Sequence, residues 1–414
     1  MRLQKYSIGT GDRFGSQGRA QLKAIIKALE IGINLDIVWN KSYREHLITK
    51  TIPLDVLKEA QDAVRALNWE GAYYIDADHV DLSNVDLFIE SCNYFTFDVA
   101  RFIGKRASDR DIKTFIEKYK YLVGDLSIPK INKTLNIKLE HIHKVAENYL
   151  LAIKEAKQIY KEVERKKGKG NFIVEISMDE TVEPQIPIEI LIILAAISDE
   201  NVPIQTFAPK FIGMFNKGVD YTGDLNQFTQ QFELLLSILQ FAKNEFSLPD
   251  NLKLSIHSGS DKFSIYDIIN KFIKKFNTGI HLKTAGTTWL EEIIGLAISG
   301  NEGLDLAKEI YIKAYNRYDE LCEPYSMVID INKINLPKPK TVANWTSEEY
   351  INSLTHDLSC PDYNPDFRQL LHIGYKVAAD LGSRFINSLK KYETNIAQNV
   401  TNNLFERHIK KLFL

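Results

Sequence analysis

The first 300 residues alternate between short apolar runs and longer segments in which hydrophobic residues return every three or four positions. The short runs are rich in Ile, Val, Tyr, Phe and Thr, which favour strands, and the longer segments have the period of amphipathic helices. Segments 19–32 and 225–243 are typical of these helices. Eight runs are predicted to be strands: 3–11, 34–40, 71–79, 94–100, 171–179, 202–209, 252–259 and 279–286. This alternation predicts βα units around a parallel sheet.

Eight βα units favour an α/β fold of the (β/α)8 barrel type over residues 1–300, with an open doubly wound sheet as the alternative. Residues 105–165 are long and charged, and we interpret them as a helical insertion after the fourth strand. Residues 301–414 are predicted to form a helical C-terminal extension packed on the barrel.

Composition narrows the class of protein. The net charge is −2 and the isoelectric point is about 6.5, so no basic excess indicates a nucleic-acid partner. The longest apolar run, 186–197, is too short to cross a membrane and predicts a buried helix. The beginning of the chain has no apolar signal-like region, and the three cysteines are widely spaced. These features predict a cytoplasmic protein without a membrane partner, and they leave a homo-oligomer open.

Residues capable of chemistry lie at the ends of the predicted strands. Asp78 and His79 end the third strand, Glu175 lies within the fifth, His257 ends the seventh, and His281 lies in the eighth. The carboxyl ends of barrel strands meet at one mouth, where active sites of this fold are built. The sequence therefore predicts that these distant residues meet in one pocket.

The histidines at the strand ends are candidate metal ligands. Imidazole suits zinc, nickel, manganese, iron or cobalt, and we assign His79 and His257 as ligands, with His281 as the third. No familiar metal-binding spacing is present, and a single histidine is more often structural. The segment "DADHVD" (76–81) could equally cap a helix.

Glu175 is the first candidate for proton transfer, with Asp78 as its counterpart. A carboxylate in mid-strand is costly to bury and usually has a partner or a function. The segment "GTGDRFG" (9–15) lacks the spacing of a phosphate loop or a dinucleotide fingerprint, so no nicotinamide cofactor is expected. Polar residues near the mouth are candidates for binding substrate: Asp12, Arg13, Lys210, Ser258, Ser260, Asp261, Lys262 and Lys283.

Six ordered blocks resemble the tagaturonate/fructuronate epimerase family. They are "IGTGDRFG", "DADHVD", "VEISMDET", "FIGMFNKGVDYTGDL", "SIHSGSDKFSIY" and "HLKTAGTTWLE", with a weaker match at "RQLLHIGY". The resemblance implies a metal-dependent isomerase that interconverts the keto-hexonates tagaturonate and fructuronate in hexuronate catabolism. Members of that family carry a further N-terminal region before the first block, whereas this chain starts at it.

The resemblance also implies a mechanism. The two keto-hexonates differ at a carbinol carbon whose C–H bond is not acidified directly by the ketone, so a retro-aldol and aldol route is expected. Two alternatives remain: a metal-dependent aldolase or isomerase acting on a ketose or sugar phosphate, and a non-catalytic protein that binds sugar acids.

Overall fold

The barrel is present and closed. The computed structural model describes residues 1–128, 131, 133–181, 183–257 and 261–414. Its strands are β1 (Tyr6–Gly11), β2 (Leu35–Ser42), β3 (Tyr73–Val80), β4 (Tyr94–Asp98), β5 (Gly124–Ile128), β6 (Lys133–Ile137), β7 (Ile173–Ser177), β8 (Thr206–Ala208), β9 (Lys253–His257) and β10 (Ile280–Lys283). All but β5 and β6 form a parallel barrel in the order β1-β2-β3-β4-β7-β8-β9-β10, and β10 pairs with β1 to close it. The eight predicted strands and the (β/α)8 fold are confirmed, and the open sheet is excluded.

The chain is otherwise mainly helical. The α-helices of the described residues are α1 (Gly18–Glu30), α2 (Tyr43–Thr49), α3 (Pro53–Ala66), α4 (Asp109–Tyr119), α5 (Leu139–Asn148), α6 (Leu150–Lys167), α7 (Pro187–Asp199), α8 (Leu225–Glu245), α9 (Tyr266–Phe276), α10 (Thr288–Ile298), α11 (Asn301–Asn316), α12 (Tyr318–Cys322), α13 (Pro339–Ala343), α14 (Ser347–Leu354), α15 (Pro365–Ile373), α16 (Tyr375–Asp380), α17 (Ser383–Lys391), α18 (Glu393–Asn402) and α19 (Lys410–Phe413). A π-helix (Asn403–Ile409) joins α18 to α19. None of the described helices is long and apolar enough to span a membrane.

The insertion after β4 differs from the prediction that it is entirely helical. It contains α4, α5 and α6, but also the antiparallel pair β5–β6. Ile128 and Ile137 are buried at the ends of these strands, while Leu126 lies opposite Leu135. Their apolar side chains alternate with polar ones, which is the period of a strand rather than of a helix.

One layer of side chains inside the barrel, below the mouth, is polar. Thr96, Glu175 and Thr206 are neighbours across β4, β7 and β8, and each is fully buried. The residues on either side of Glu175, Val174 and Ile176, belong to the apolar core. Alternation along the strand therefore directs the carboxylate inward.

The C-terminal helices pack against α1 and α10. Trp289 in α10 donates a hydrogen bond to the carbonyl of Leu371 at 2.7 Å. A Cβ on Gly295 would lie 2.7 Å from the Cα of Ile396, so glycine permits the close approach of α10 and α18. The predicted helical C-terminal part thus lies directly on the barrel, where it reaches the loops of the mouth.

Candidate functional site

Three side chains converge at the mouth of the barrel. His79 lies near the end of β3, Asp179 follows β7, and His257 ends β9. Each offers one ligand atom, and the three atoms lie within 4.8 Å of one another. Asp179 lies between the two rings: its oxygens are 3.7 Å from Nε2 of His79 and 3.0 Å from Nδ1 of His257. We call these three residues the metal-ligand group.

His79 has an unusual backbone. Its φ is +57°, in the left-handed region that few residues other than glycine adopt. The pairing of β3 with β4 shifts register between Ala77 and Val80, which places a bulge at this position. Bulges of this kind re-aim side chains at active sites, and here the bulge accompanies the turn of His79 toward Asp179.

The other ring nitrogen of each histidine contacts a carboxylate. Nδ1 of His79 lies 2.7 Å from Asp78, and Nε2 of His257 lies 2.8 Å from Glu175. Metal-binding histidines characteristically donate their second N–H to a carboxylate, which fixes the tautomer and the ring orientation. Nε2 of His79 is buried without a hydrogen-bond partner among the described residues. The donor set and this nitrogen therefore fit a divalent cation.

Lys283 lies behind the two histidines. Its ammonium is 2.9 Å from Asp76, 2.7 Å from Asp78 and 3.3 Å from Glu175, and its side chain is almost fully buried. It also donates a hydrogen bond to Thr96. Lys283 thus holds together the carboxylates that orient both histidines, which differs from the predicted direct contact with substrate.

The charges of this network shift the pKa values of its members. Burial disfavours the charged histidines, but the neighbouring carboxylates outweigh burial, so the pKa of His257 is raised to about 9 and that of His79 is raised well above its usual range. Burial likewise disfavours the carboxylate of Glu175, but Lys283 and His257 hold its pKa well below the usual range. Glu175 is therefore an ionised hydrogen-bond acceptor and a poor proton donor.

His281 does not join the metal-ligand group. Strand register explains why: Lys283 pairs with His257, whereas His281 pairs with Ser255, two residues deeper in the barrel. Two residues along a strand correspond to about 6.6 Å. Nδ1 of His281 lies 2.9 Å from Ser7, and burial lowers the pKa of this histidine to about 3. Asp179, and not His281, is the third member of the group. It follows β7 two residues after Ser177, and this spacing, the period of a strand, is the sequence feature that pointed to it.

Asp12 closes the turn after β1. Its two carboxylate oxygens accept the backbone N–H groups of four successive residues, Phe14, Gly15, Ser16 and Gln17. This is the arrangement that satisfies the free donors before a helix, here α1. Its contacts therefore differ from those expected of a substrate-binding residue.

Arg13 extends from the same turn toward the C-terminal helices. Its guanidinium lies 3.2 Å from Glu45, donates to the carbonyl of His372 at 2.9 Å and stacks 4.0 Å from the ring centre of Tyr375. Its side chain is 15% exposed. Arg13 therefore joins the turn after β1 to the C-terminal helices, and its predicted contact with substrate stays a prediction.

Asp261 is buried in a cluster that joins the barrel to the C-terminal helices. Arg368 lies 2.9 Å from its carboxylate, His408 lies at 3.0 Å and His356 at 3.4 Å. We call these four residues the Asp261 cluster. Neither Asp261 nor Arg368 is exposed, so the structure places Asp261 away from the space open to substrate. No role was predicted for these three partners, which lie in the helical C-terminal part of the chain.

Two lysines that were predicted to bind substrate, Lys210 and Lys262, donate hydrogen bonds to backbone carbonyls. Lys262 is fully buried and donates to Asn216 at 2.9 Å and Val219 at 2.6 Å. Lys210 donates to the carbonyl of Thr181 in the segment after β7. Both lysines thus connect the loops of the mouth. The predicted substrate contacts Ser258 and Ser260 lie outside the described residues.

The sequence and the structure are similar to those of known epimerases. A "Tagaturonate/fructuronate epimerase" of Thermotoga maritima is 28% identical over 417 residues, covering 97% of this chain and 80% of that protein. The glycerol-complexed crystal structure of the fructuronate-tagaturonate epimerase UxaE from Cohnella laeviribosi superposes with a TM-score of 0.79 at 25% identity, covering 100% of this chain and 82% of that one. The native structure of the same enzyme gives a TM-score of 0.78 at 25% identity and the same coverage. The family model described as tagaturonate epimerase matches residues 1–412. The chain therefore belongs to the tagaturonate epimerase family, a family of isomerase-class enzymes.

Proposed function

We propose that this protein interconverts tagaturonate and fructuronate with the help of a divalent metal cation held by His79, Asp179 and His257. One observation carries the metal proposal: each histidine turns one nitrogen toward Asp179 and the other toward a second carboxylate. This pattern favours zinc, nickel, manganese, iron or cobalt over a hard cation that takes only oxygen ligands. The cation would polarise the substrate ketone and stabilise the negative charge of the enolate.

The reaction is a cleavage and re-addition. The substrate hydroxyl at the carbon to be inverted loses its proton, and the bond from that carbon to the carbon next to the ketone breaks. The products are an aldehyde and an enolate. Rotation of the aldehyde and re-formation of the bond give the epimer, and the new alkoxide regains a proton.

Burial disfavours both carboxylates, but Lys283 and His79 hold the pKa of Asp78 below its usual range, as Lys283 and His257 do for Glu175. Access to the substrate therefore decides the choice, and we assign Asp78 to this proton transfer. Its contacts with His79 and Lys283 are both made by Oδ1, so Oδ2 is the oxygen proposed to receive the proton. Its side chain is 13% exposed, whereas that of Glu175 is not exposed. We therefore assign Glu175 to positioning His257, and Lys283 to positioning both carboxylates.

Three free thiols, Cys92, Cys322 and Cys360, fit a reducing compartment, so we propose a cytoplasmic role in hexuronate catabolism.

Arg13 is proposed to contact the substrate directly. Lys210 and Lys262 are proposed to act through the loops that they hold.

The test is a product assay with tagaturonate and with fructuronate. The purified protein is assayed as isolated, after chelation, and after re-addition of each divalent metal in turn. We expect chelation to abolish epimerisation and one or more metals to restore it. Full activity of a protein shown by elemental analysis to be metal-free would refute the metal role, and failure to convert either substrate in the presence of all the metals would refute the proposed reaction.

A further inference from the structure

Three cationic side chains gather on two tyrosine rings at the mouth. The guanidinium carbons of Arg44 and Arg13 lie 4.7 Å from the ring centre of Tyr325 and 4.0 Å from that of Tyr375, respectively. The ammonium of Lys217 lies 5.8 Å from the ring centre of Tyr325. The two tyrosine hydroxyls are 3.0 Å apart, so the rings form one platform. We call Arg13, Arg44 and Lys217 the cation cluster.

The positive charge of this cluster is only partly balanced. Glu45 pairs with Arg13 at 3.2 Å. Among the described residues, no carboxylate forms an ion pair within 4.0 Å of Arg44 or Lys217. Burial and the charges of Arg13 and Arg44 lower the pKa of Lys217. A group of like charges held together without a matching number of anions favours the binding of an anion.

The turn that carries Lys217 is held rigidly. Lys262 donates to the carbonyls of Asn216 and Val219, and Arg368 donates to the carbonyl of Gly218 at 2.6 Å. The amide of Lys217 itself donates to Val328 at 2.8 Å. These bonds fix the backbone on both sides of Lys217, which lowers the entropic cost of binding a ligand there.

Gly218 sets the position of this turn against α15. Its φ is +81°, and a Cβ at this position would lie 3.2 Å from the Cβ of His372. A larger residue would be strained and would push the turn away from the helix. The C-terminal helices therefore supply both the platform and the surface on which the Lys217 turn rests.

The cation cluster and the metal-ligand group start from the same end of the barrel. Ser42 of β2 pairs in register with Asp78 of β3, so Arg44 follows a strand end that lies beside the one carrying His79. Lys217 follows β8, which neighbours β7, and Asp179 follows β7. A small molecule engaged by the metal-ligand group thus has a region of positive charge beside it.

We propose that Lys217 and Arg44 bind the carboxylate of the substrate and thereby select a sugar acid over the neutral ketose. This inference rests on the proposed function for the identity of the substrate, and it adds two specificity-determining residues that the sequence analysis did not assign. A carboxylate on the tyrosine platform would accept charge-assisted hydrogen bonds from both side chains.

The experiment measures binding separately from turnover. D-gluconate, a hexonate without a ketone, is titrated calorimetrically into the metal-loaded wild-type protein and into the variants Lys217→Met, Arg44→Met and Lys217→Arg. We expect each methionine variant to weaken gluconate binding about tenfold or more, because a hydrogen bond to a charged group is lost, and Lys217→Arg to stay within about threefold. Lys391→Met is the matched control, because Lys391 lies 5.2 Å from the ring centre of Tyr392 but pairs with Glu302.

Kinetics give the second measurement. The methionine variants should raise KM for the keto-hexonate more than they lower kcat, since the carboxylate is remote from the bond that breaks. Wild-type protein that binds no gluconate, or variants that bind it as wild type does, would overturn the inference while leaving the epimerase proposal intact. Gluconate binding that depends on both cations, in a protein that does not convert the keto-hexonates, would refute the reaction alone.

Discussion

Two groups of histidines and carboxylates look alike in composition but differ in construction. In the metal-ligand group, two imidazoles and a carboxylate face one another, and further carboxylates contact the outer nitrogens. In the Asp261 cluster, two imidazoles and a carboxylate again meet, but the guanidinium of Arg368 contacts the carboxylate directly.

The two groups also differ in the exposure of their side chains. The side chains of His79 and Asp179 are 22% and 24% exposed, whereas those of Asp261, Arg368 and His408 are not exposed at all. A carboxylate that already has a permanent cation gains little from a metal. Composition alone therefore does not identify a ligand site. A ligand site has ring nitrogens that face one carboxylate from two sides, whereas a guanidinium on the carboxylate marks a structural cluster.

Removal of a ligand should have the largest effect. Asp179→Ala deletes the donor that lies between His79 and His257, so we expect loss of bound metal and a fall in kcat/KM of at least about a thousandfold, since a bound cation contributes several kcal/mol to the transition state. Elemental analysis and the epimerase assay check this. An Asp179→Ala protein that retains stoichiometric metal and normal turnover would remove Asp179 from the group.

Loss of the guanidinium in the Asp261 cluster should affect stability instead. Arg368→Met leaves the carboxylate of Asp261 buried without its main partner, and breaking such a pair costs about 3–5 kcal/mol. Urea unfolding measures the change in the free energy of unfolding, and metal content should stay at the wild-type level. The double variant Arg368→Met/Asp261→Asn is the control, because it removes the unpaired charge and should recover part of the loss.

The sequence predicted one of these groups much better than the other. Strand ends are visible as breaks in apolar runs, so the convergence of His79 and His257 followed from the barrel alone. The depth of a residue in the barrel is not visible in this way. His281 and Lys283 belong to the same strand, but only the pairing of β10 with β9 shows that Lys283 reaches the level of His257.

The Asp261 cluster could not be predicted from strand patterns. Arg368 is 107 residues from Asp261 in the chain and His408 is 147 residues away. Both belong to helices that contact α10: Trp289 donates to Leu371 of α15, and Asn403 of the π-helix donates to Glu291. The same long-range packing decides that Lys262 donates to the carbonyls beside Lys217. Local sequence identified Asp261 and Lys262 as polar residues near the mouth, but not the direction in which they point.

A change in the carboxylate behind His257 should have an intermediate effect. Glu175→Gln keeps the shape of the side chain but removes the charge that orients and polarises the imidazole, and changes of this kind cost about 10–100-fold in metal affinity or activity. Competition with a chelator measures the affinity, and kcat/KM measures the activity. Asp76→Asn is the matched control, because Asp76 contacts Lys283 and Thr96 without contacting either histidine. Equal losses in the two variants would mean that Glu175 acts through Lys283 instead of through His257.

The smallest effect is expected for a histidine of the Asp261 cluster. His408 links Tyr266 to Asp261 through its two ring nitrogens, at 2.7 Å and 3.0 Å. His408→Gln preserves one of these contacts at most, so the free energy of unfolding should fall by about 1–3 kcal/mol, the cost of leaving a buried polar group unsatisfied. Metal content and kcat/KM should match the wild type, because Arg368 continues to pair with Asp261 and to hold Gly218. A loss of metal in His408→Gln would show that the Asp261 cluster and the metal-ligand group are coupled, and the distinction between a ligand site and a structural cluster would then fail for this barrel.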